Sequence, residues 1–366
     1  MSEQVRPRIY LDHAATTPMR PQAIAAVEEA MRRWANPSSP HAEGRAARAA
    51  IEDARARIKA ALGWTGELIF TSGASEAIAI AMARGRRDGR IVSAIEHDSV
   101  LRVAGDAPRL PVRPDATVDL DILSARIARG GAPLVAVQHV NSELGRVQDL
   151  AAVAAMVRDA GGLLLADCAQ SAGKMALPDA DLIVVSAHKF GGPPGIGALL
   201  VRDFAMLTPS GGQEFGYRGG TENVLGALGM AAALEANPVD ADGGAQWLAA
   251  LRPALLRLHR TLADAGGVQL GGGGEVQAIA CYAMPGVKAA AQLIQLDSAG
   301  FAVSAGSACS SGSLRKSHVL DAIRATDDVA DGAIRVSVGW STTAGEIAAF
   351  GAQWVAIAEK ARSRAA

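Results

Sequence analysis

From about residue 20 to about residue 235, short apolar runs alternate with stretches whose apolar residues recur at helical spacing. The runs are Glu67–Phe70, Arg90–Ala94, Arg109–Val112, Leu134–Gln138, Gly162–Ala166, Asp181–Val185 and Gly197–Val201. The stretches between them include Ser75–Ala83, Leu120–Ala128 and Leu150–Ala160, a length usual for crossover helices. This alternation predicts a mostly parallel sheet with helices on both faces. Two further helices are predicted ahead of it. Pro21 to Trp34 carries Ile24, Val27 and Met31 on one face, with Pro21 suited to a first turn. Ala42 to Leu62 ends at Gly63, as helices often do.

The pattern changes after Ala236. Asn237-Pro-Val-Asp-Ala-Asp-Gly-Gly244 reads as a linker. Beyond it come a helix (Gln246 to Ala265), a strand (Val276–Tyr282), a helix (Ala289–Ser298) and a short strand (Phe301–Val303). A helix near His318–Ile323, a strand (Ala333–Val338) and a helix from about Ala344 follow. The expected organisation is therefore α/β, with a large domain over residues 12–236 and a small α+β domain from residues 1–11 and 237–366.

Composition narrows the possible functions. The 366 residues are 49% hydrophobic and 20% charged, so the chain can build two cores. A net charge of -1 argues against a nucleic-acid surface and against a membrane-surface binder. No apolar run reaches the ~18 residues of a membrane span. The first ten residues lack the apolar core of a secretory signal. Cys168, Cys281 and Cys309 are odd in number and show no pair spacing, which suits a reduced cytoplasm and no structural zinc.

Ligands of open parallel sheets sit beyond the carboxyl ends of the strands. Thr71-Ser-Gly-Ala-Ser75-Glu76 follows the first run and opens a helix, a natural phosphate site. Glu96-His97, His139-Val-Asn141, Asp167 with Gln170, and Ser186, His188 and Lys189 follow four later runs. Pyridoxal phosphate accounts for this set. Its aldehyde needs a lysine, for which Lys189 is placed, although a surface lysine past a strand end is the bland alternative. Its ring nitrogen needs a carboxylate, for which Asp167 is placed, unless that residue only caps Ala169–Ala172. His97 offers a flat stacking partner; the Ser75 helix terminus, Ser186 and His188 suit the phosphate. His13, His41 and His139 read as structural, and His259 and His318 as surface residues.

The chain resembles the cysteine desulfurases of the NifS/IscS type, within the class V aminotransferases. The resemblance runs over nearly the whole length. It rests on Tyr10-Leu-Asp-His-Ala-Ala-Thr-Thr-Pro18, Asn36-Pro-Ser-Ser-Pro-His41, Thr71-Ser-Gly-Ala-Ser-Glu76, Glu96-His97 and His139-Val-Asn-Ser-Glu-Leu-Gly145. Asp167-Cys-Ala-Gln170, Ser186-Ala-His-Lys189, Arg218-Gly-Gly-Thr221 and Gly306-Ser-Ala-Cys-Ser-Ser-Gly312 complete it. It implies the fold type I architecture of pyridoxal-phosphate transferases, with a seven-stranded, mostly parallel sheet. It implies Lys189 as the Schiff-base lysine, Asp167 on the pyridinium nitrogen, Gln170 on the ring hydroxyl, and His97 stacked on the ring and moving protons. By the same resemblance Ala74, Ser75, Ser186 and His188 hold the phosphate, joined by Thr221 from the other subunit of a homodimer. Asn141, also near the cofactor, and Arg335 would grip the α-carboxylate of L-cysteine.

Cys309 separates this reading from a plain aminotransferase. Its neighbours Gly306, Ser307, Ala308, Ser310, Ser311 and Gly312 are too small to pack a core, so an exposed, ionisable thiol is expected there. Cys281, inside an apolar run, and Cys168 read as packing. The implied reaction turns L-cysteine into alanine, leaves a persulfide on Cys309 and passes the sulfur to an acceptor protein, either an iron–sulfur scaffold or a thiolation partner. A selenocysteine lyase or another class V β-lyase or aminotransferase, and a non-catalytic sulfur-pathway partner, are the competing readings. Two departures from the family pattern stand out: Ser75 where threonine is common, and Gly339-Trp-Ser341 where Gly-Arg-Phe is common.

Overall fold

The computed structural model describes residues 8–33, 35–237, 239–240, 243–271, 278–305 and 317–365. Its strands, in chain order, are β1 (Ile9–Tyr10), β2 (Glu67–Thr71), β3 (Arg90–Ser93), β4 (Arg109–Leu110), β5 (Leu134–Gln138), β6 (Leu163–Asp167) and β7 (Leu182–Ser186). Then come β8 (Gly197–Val201), β9 (Val268–Leu270), β10 (Ile279–Ala283), β11 (Phe301–Ala302), β12 (Ser304–Ala305) and β13 (Ala333–Ser337). A seven-stranded sheet has the order β2-β8-β7-β6-β5-β3-β4. Only β8 runs against its neighbours; the other pairs are parallel.

Strands β5 to β8 are buried at every position, because helices cover both faces of the sheet. One face packs Leu68, Phe70, Val135, Val137, Leu164 and Ile183 against the helices Ala42–Ala61, Leu150–Asp159 and Val224–Glu235. The other packs Ile69, Val92, Ala136, Leu165 and Val184 against the helix Ala74–Arg84. The alternation of these residues along each strand is the period-two geometry of a sheet.

Sequence and structure differ at several element ends, each for a local reason. Arg109–Val112 shortens to β4 because Pro111 brings no N–H to a ladder. Asp181 stands outside β7 and uses its carboxylate instead: it accepts from the Leu164 amide at 2.9 Å and binds Arg158 and Arg202. Asp167 closes β6 rather than following it. The short helix Asp98–Ala104 carries no clear periodicity in the sequence; His97 caps it, its Nδ1 accepting from the Ser99 amide at 3.2 Å. Phe301–Val303 shortens to β11, which pairs with β1, and β12 follows it separately and pairs with β13.

A four-stranded sheet, β12-β13-β10-β9, forms the smaller layer. The helices Gln246–Asp264 and Ala344–Ala365 cover it, with Trp354 and Phe350 fully buried between them and the strands. The N-terminal strand β1 belongs to this layer through its parallel pairing with β11. Immediately after it, Asp12–Pro18 crosses to the large sheet; the Thr17 amide donates to the His188 carbonyl at 2.9 Å. No helix among the described residues is long and apolar enough to cross a membrane.

Candidate active site

A cavity of about 370 Å³ opens at the carboxyl ends of β2, β3, β5, β6 and β7. Ser72 to Glu76, His97, Asp167, Gln170, Ser186, His188 and Lys189 all contribute to its wall. The five strand ends singled out from the sequence thus meet in one place.

The wall is built from the strands outward. Gly73 has φ +150 and φ/ψ that only glycine adopts readily, and it turns β2 into the helix Ala74–Arg84. Amides of Ala74, Ser75 and Glu76 therefore open the helix toward the cavity, where an anion is favoured. Gly197 makes this turn possible: a Cβ there would lie 2.8 Å from the Gly73 Cα. Glu76 braces the same turn. It accepts from the Ser72 amide at 2.5 Å and from Arg218 Nε at 3.1 Å.

Asp167 is 8% exposed, and one carboxylate oxygen accepts from the Ala169 amide at 2.9 Å. That bond is the local capping expected of an aspartate here, but no helix follows it. Burial pushes the Asp167 carboxyl up, while the Ala169 amide, His97 and Lys189 pull it back toward the charged form. Gln170 donates through Nε2 to the Ala14 carbonyl at 2.9 Å, and its Oε1 is buried without a partner. Ser186 ends β7, and the 3-10 turn Ala187–Lys189 swings His188 and Lys189 into the cavity. Lys189 Nζ donates to the carbonyls of Ala14 at 2.6 Å and Ala15 at 2.8 Å. His188 Nδ1 lies 3.1 Å from the Thr16 hydroxyl. Burial, Lys189 and Lys174 together lower the His188 imidazole to about 4, so it is neutral.

Glu96, one residue before His97, is fully buried. Its Oε1 accepts from the Gln138 amide at 2.6 Å, and Oε2 has no partner. Burial and then the neighbouring Asp167 push its carboxyl well up, as expected of a protonated acid beside a carboxylate.

The small layer closes one side. Arg335, on β13, is 3% exposed; Nη1 donates to the Ser142 carbonyl at 3.0 Å and Nη2 to Asp12 Oδ1 at 2.8 Å. Ser317 Oγ donates to Glu143 Oε2 at 2.6 Å, and His318 Nε2 lies 2.9 Å from the Glu96 carbonyl. His318 is therefore a half-buried contact to the segment after β3, not the surface residue expected. His259 is also half-buried, with Nδ1 2.6 Å from the Tyr282 hydroxyl. Spacing on a helix could not reveal either partner, since both lie on distant segments.

Asn141 stands behind the wall rather than in it. Its Oδ1 accepts from the amides of Glu143 and Leu144, at 3.0 and 2.8 Å, and its Nδ2 donates to the Ile95 carbonyl at 3.2 Å. In this structure it holds the loop that presents Ser142. Thr221 is exposed and does not line this chain's cavity. Cys309 lies outside the described residues. Cys168 and Cys281 are free and buried, and burial pushes both thiols up, which suits packing and not nucleophilic chemistry.

Three parts of the site have no signature in residue type. One is the pair of main-chain carbonyls, Ala14 and Ala15, that receive Lys189. The second is Trp340, whose Nε1 donates to the Pro18 carbonyl at 2.9 Å while Arg20 lies 5.1 Å over its ring. The third is Lys174, 6% exposed, whose charge bears on His13 and His188.

The family model for aminotransferase class-V matches residues 9–350. The cysteine desulfurase IscS of Dictyoglomus turgidum is 34% identical over 360 residues, which cover 92% of this chain and 90% of that protein. A NifS-like protein from Rickettsia africae superimposes with a TM-score of 0.84 at 28% identity, covering 96% of this chain and 99% of that one. SspA, solved in complex with cysteine, superimposes with a TM-score of 0.76 at 28% identity, covering 90% of this chain and 98% of that one.

Proposed function

The chain belongs to the aminotransferase class-V family, and from that premise we infer that it is a pyridoxal-phosphate-dependent cysteine desulfurase. The observation that carries the cofactor assignment is the convergence on one cavity of a buried carboxylate, a lysine and a helix N-terminus. The cavity fits the group. Gln170 Oε1 is a buried acceptor awaiting a donor such as a ring hydroxyl, and Gly73 with Gly197 leaves a cradle that a Cβ would fill.

Lys189 would hold the cofactor's aldehyde carbon, Asp167 its ring nitrogen, Gln170 its hydroxyl and His97 its ring face. The Ala74 and Ser75 amides with Ser75, Ser186 and His188 would hold its phosphate, helped by Thr221 of a second copy in a homodimer. When bound, the cofactor supplies an exchangeable carbonyl and an electron-accepting ring. Arg335 would pair with the substrate α-carboxylate through parallel hydrogen bonds, its buried Nε still lacking a partner. Lys189 would take the substrate's α-proton. The Cys309 thiolate then attacks the substrate sulfur. A sulfur–sulfur bond forms as the carbon–sulfur bond breaks, and the carbon skeleton leaves as alanine. Both described flanks of the Cys309 segment adjoin the site: Ser304 pairs with Arg335, and Ser317 bonds Glu143. A reducing cytoplasm would keep this thiol free for transfer to an acceptor protein.

The test is incubation with L-cysteine, followed by alanine measurement and mass analysis of the peptide bearing Cys309, which should gain one sulfur atom. Cys309→Ala should keep the cofactor's visible band and lose both the persulfide and alanine release. Alanine release at the unsubstituted rate in that variant would refute the assignment of Cys309.

A further inference from the structure

His97 is half-buried in the cavity wall, and its edge is as constrained as its face. It is the N-cap of the seven-residue helix Asp98–Ala104. Its Nδ1 accepts from the Ser99 amide at 3.2 Å and lies 2.8 Å from the Ser99 hydroxyl. An amide nitrogen can only donate, so Nδ1 carries no proton, and the Ser99 hydroxyl is a second donor to it. The proton of a neutral His97 then sits on Nε2. Capping by histidine occurs elsewhere in this chain: Nδ1 of the exposed His41 accepts from the Gly44 amide at 3.2 Å, at the start of Ala42–Ala61. What sets His97 apart is the added hydroxyl donor and the cavity that His97 and Ser99 both line.

The backbone on either side of the ring is tied down. Ahead of it, Glu96 is anchored through Oε1 to the Gln138 amide, and its carbonyl lies 2.9 Å from His318 Nε2. Behind it, the His97 carbonyl accepts from the amides of Val100 and Leu101, at 2.8 and 3.2 Å. Ser99 is 4% exposed, so its hydroxyl has little water to turn to. One charged neighbour pulls the other way. Asp167 and His97 bear on each other, and a carboxylate favours an added proton on an imidazole. That proton would have to enter at Nδ1, where it would face the Ser99 N–H donor against donor and break both bonds to Ser99.

We propose that Ser99 is a positioning residue for His97: its hydroxyl and amide fix the imidazole as the Nε2–H form, so that His97 meets the bound cofactor as a stacking face and a hydrogen-bond donor rather than as a carrier of protons. A ring so held takes no proton at Nε2, which is already occupied. It takes none at Nδ1 without losing both bonds to Ser99. It does not release the Nε2 proton either, because no proton enters at Nδ1 to replace it. Transfer of the α-proton is left to Lys189. A neutral imidazole at a helix N-terminus, acting as a donor, is a known arrangement in enzyme sites. The proposal revises the proton-moving role that the resemblance implies for His97. Its cofactor part rests on the pyridoxal phosphate reading, whereas the tautomer belongs to the cofactor-free chain as well.

The experiment uses the full chain labelled with nitrogen-15 histidine, cofactor-free and loaded with pyridoxal phosphate. Long-range proton–nitrogen correlations near neutral pH report the tautomer of each of the seven histidines, and His97→Gln identifies the His97 signals by their loss. In both forms Nδ1 should read as unprotonated and Nε2 as protonated. An Nδ1–H form, or a ring protonated on both nitrogens at neutral pH, would overturn the proposal. Ser99→Ala removes one of the two donors to Nδ1, so the pH at which the His97 ring takes up a proton should rise by about half to one pH unit. Ser99→Thr keeps the hydroxyl and should hold the midpoint of the unsubstituted chain. A merely structural role for Ser99 would lower stability in Ser99→Ala without moving this midpoint, so an unmoved midpoint would also overturn the proposal. If pyridoxal phosphate binds and leaves the His97 signals where they were, the contact with the cofactor is refuted while the Ser99 assignment stands. If none binds, the pyridoxal phosphate reading itself fails, a result distinct from the others.

Discussion

The site has two halves made of different material. One half, in the cavity wall, is strand ends: Ser75, His97, Asp167, Ser186 and Lys189 each follow or close a strand of the large sheet and act through side chains. The other half is the Asp12–Pro18 turn, which stands outside the cavity lining and braces it mainly through its backbone. Its Ala14 and Ala15 carbonyls receive Lys189, the Ala14 carbonyl also receives Gln170, and the Thr17 amide reaches the His188 carbonyl. The strand ends therefore supply the chemistry, and the turn sets where and in what charge state that chemistry stands. Variants of the two halves should fail differently.

The largest effect belongs to the strand ends. Lys189→Ala should lower kcat/KM for cysteine by about 10⁴-fold, the upper range for a positioned acid–base group. It should also leave no visible band that borohydride can bleach. Its thermal stability should hold, because Nζ donates to main-chain carbonyls at the edge of an open cavity. Desulfurase activity within tenfold of the unsubstituted chain would end the distinction drawn above.

That half was also the legible one. Lys189, Asp167 and Ser186 are visible in a sequence because residue types at strand ends carry chemical meaning. The seven apolar runs mark the large sheet because strands covered on both faces must be apolar throughout. The turn is not legible in the same way. A carbonyl acceptor is common to every residue, so nothing in Ala14 or Ala15 announces a partner 174 or 175 positions away. Asn141 shows the reverse difficulty: its type suits a ligand contact, yet its polar atoms are taken up by the Ile95 carbonyl and the amides of Glu143 and Leu144. Strands β9 and β12, three and two residues long, are too short to show any period.

Acid sensitivity is common to both halves, and the turn's part in it belongs to His13. Burial, followed by the charge of Lys174, lowers the His13 imidazole from 6.5 to about 4. A depressed value means that the neutral form is preferred in the folded chain. The stability it contributes is present above pH 6.5 and is lost as pH falls toward 4, at most about 3 kcal/mol. His139 and His188 are lowered similarly, so the whole chain should lose stability across that window. His13→Gln should reduce the protons taken up on unfolding between pH 6.5 and 4 by about one. Urea midpoints measured from pH 8 to pH 4.5 read this directly. An unchanged acid slope would remove His13 from the account, whereas Ser186→Ala, in the other half, should leave the slope alone.

The smallest effect tests how the turn is held down from outside. Trp340 reaches the Pro18 carbonyl through Nε1 at 2.9 Å and lies under the Arg20 guanidinium. Arg20 is in turn fixed by the Phe190 and Ala236 carbonyls and by Asn237 Oδ1. Trp340→Phe removes the hydrogen bond and keeps a ring beneath the cation. It should lower stability by about 1 kcal/mol, the net value of one such bond. Trp340→Ala removes both contacts and should lose roughly another 0.5 to 1 kcal/mol. Neither change touches a strand end, so the visible band of the loaded protein should keep its intensity in both. If Trp340→Phe alone weakened the band, the turn and the strand ends would be a single unit, and the separation between holding and chemistry would have to be redrawn.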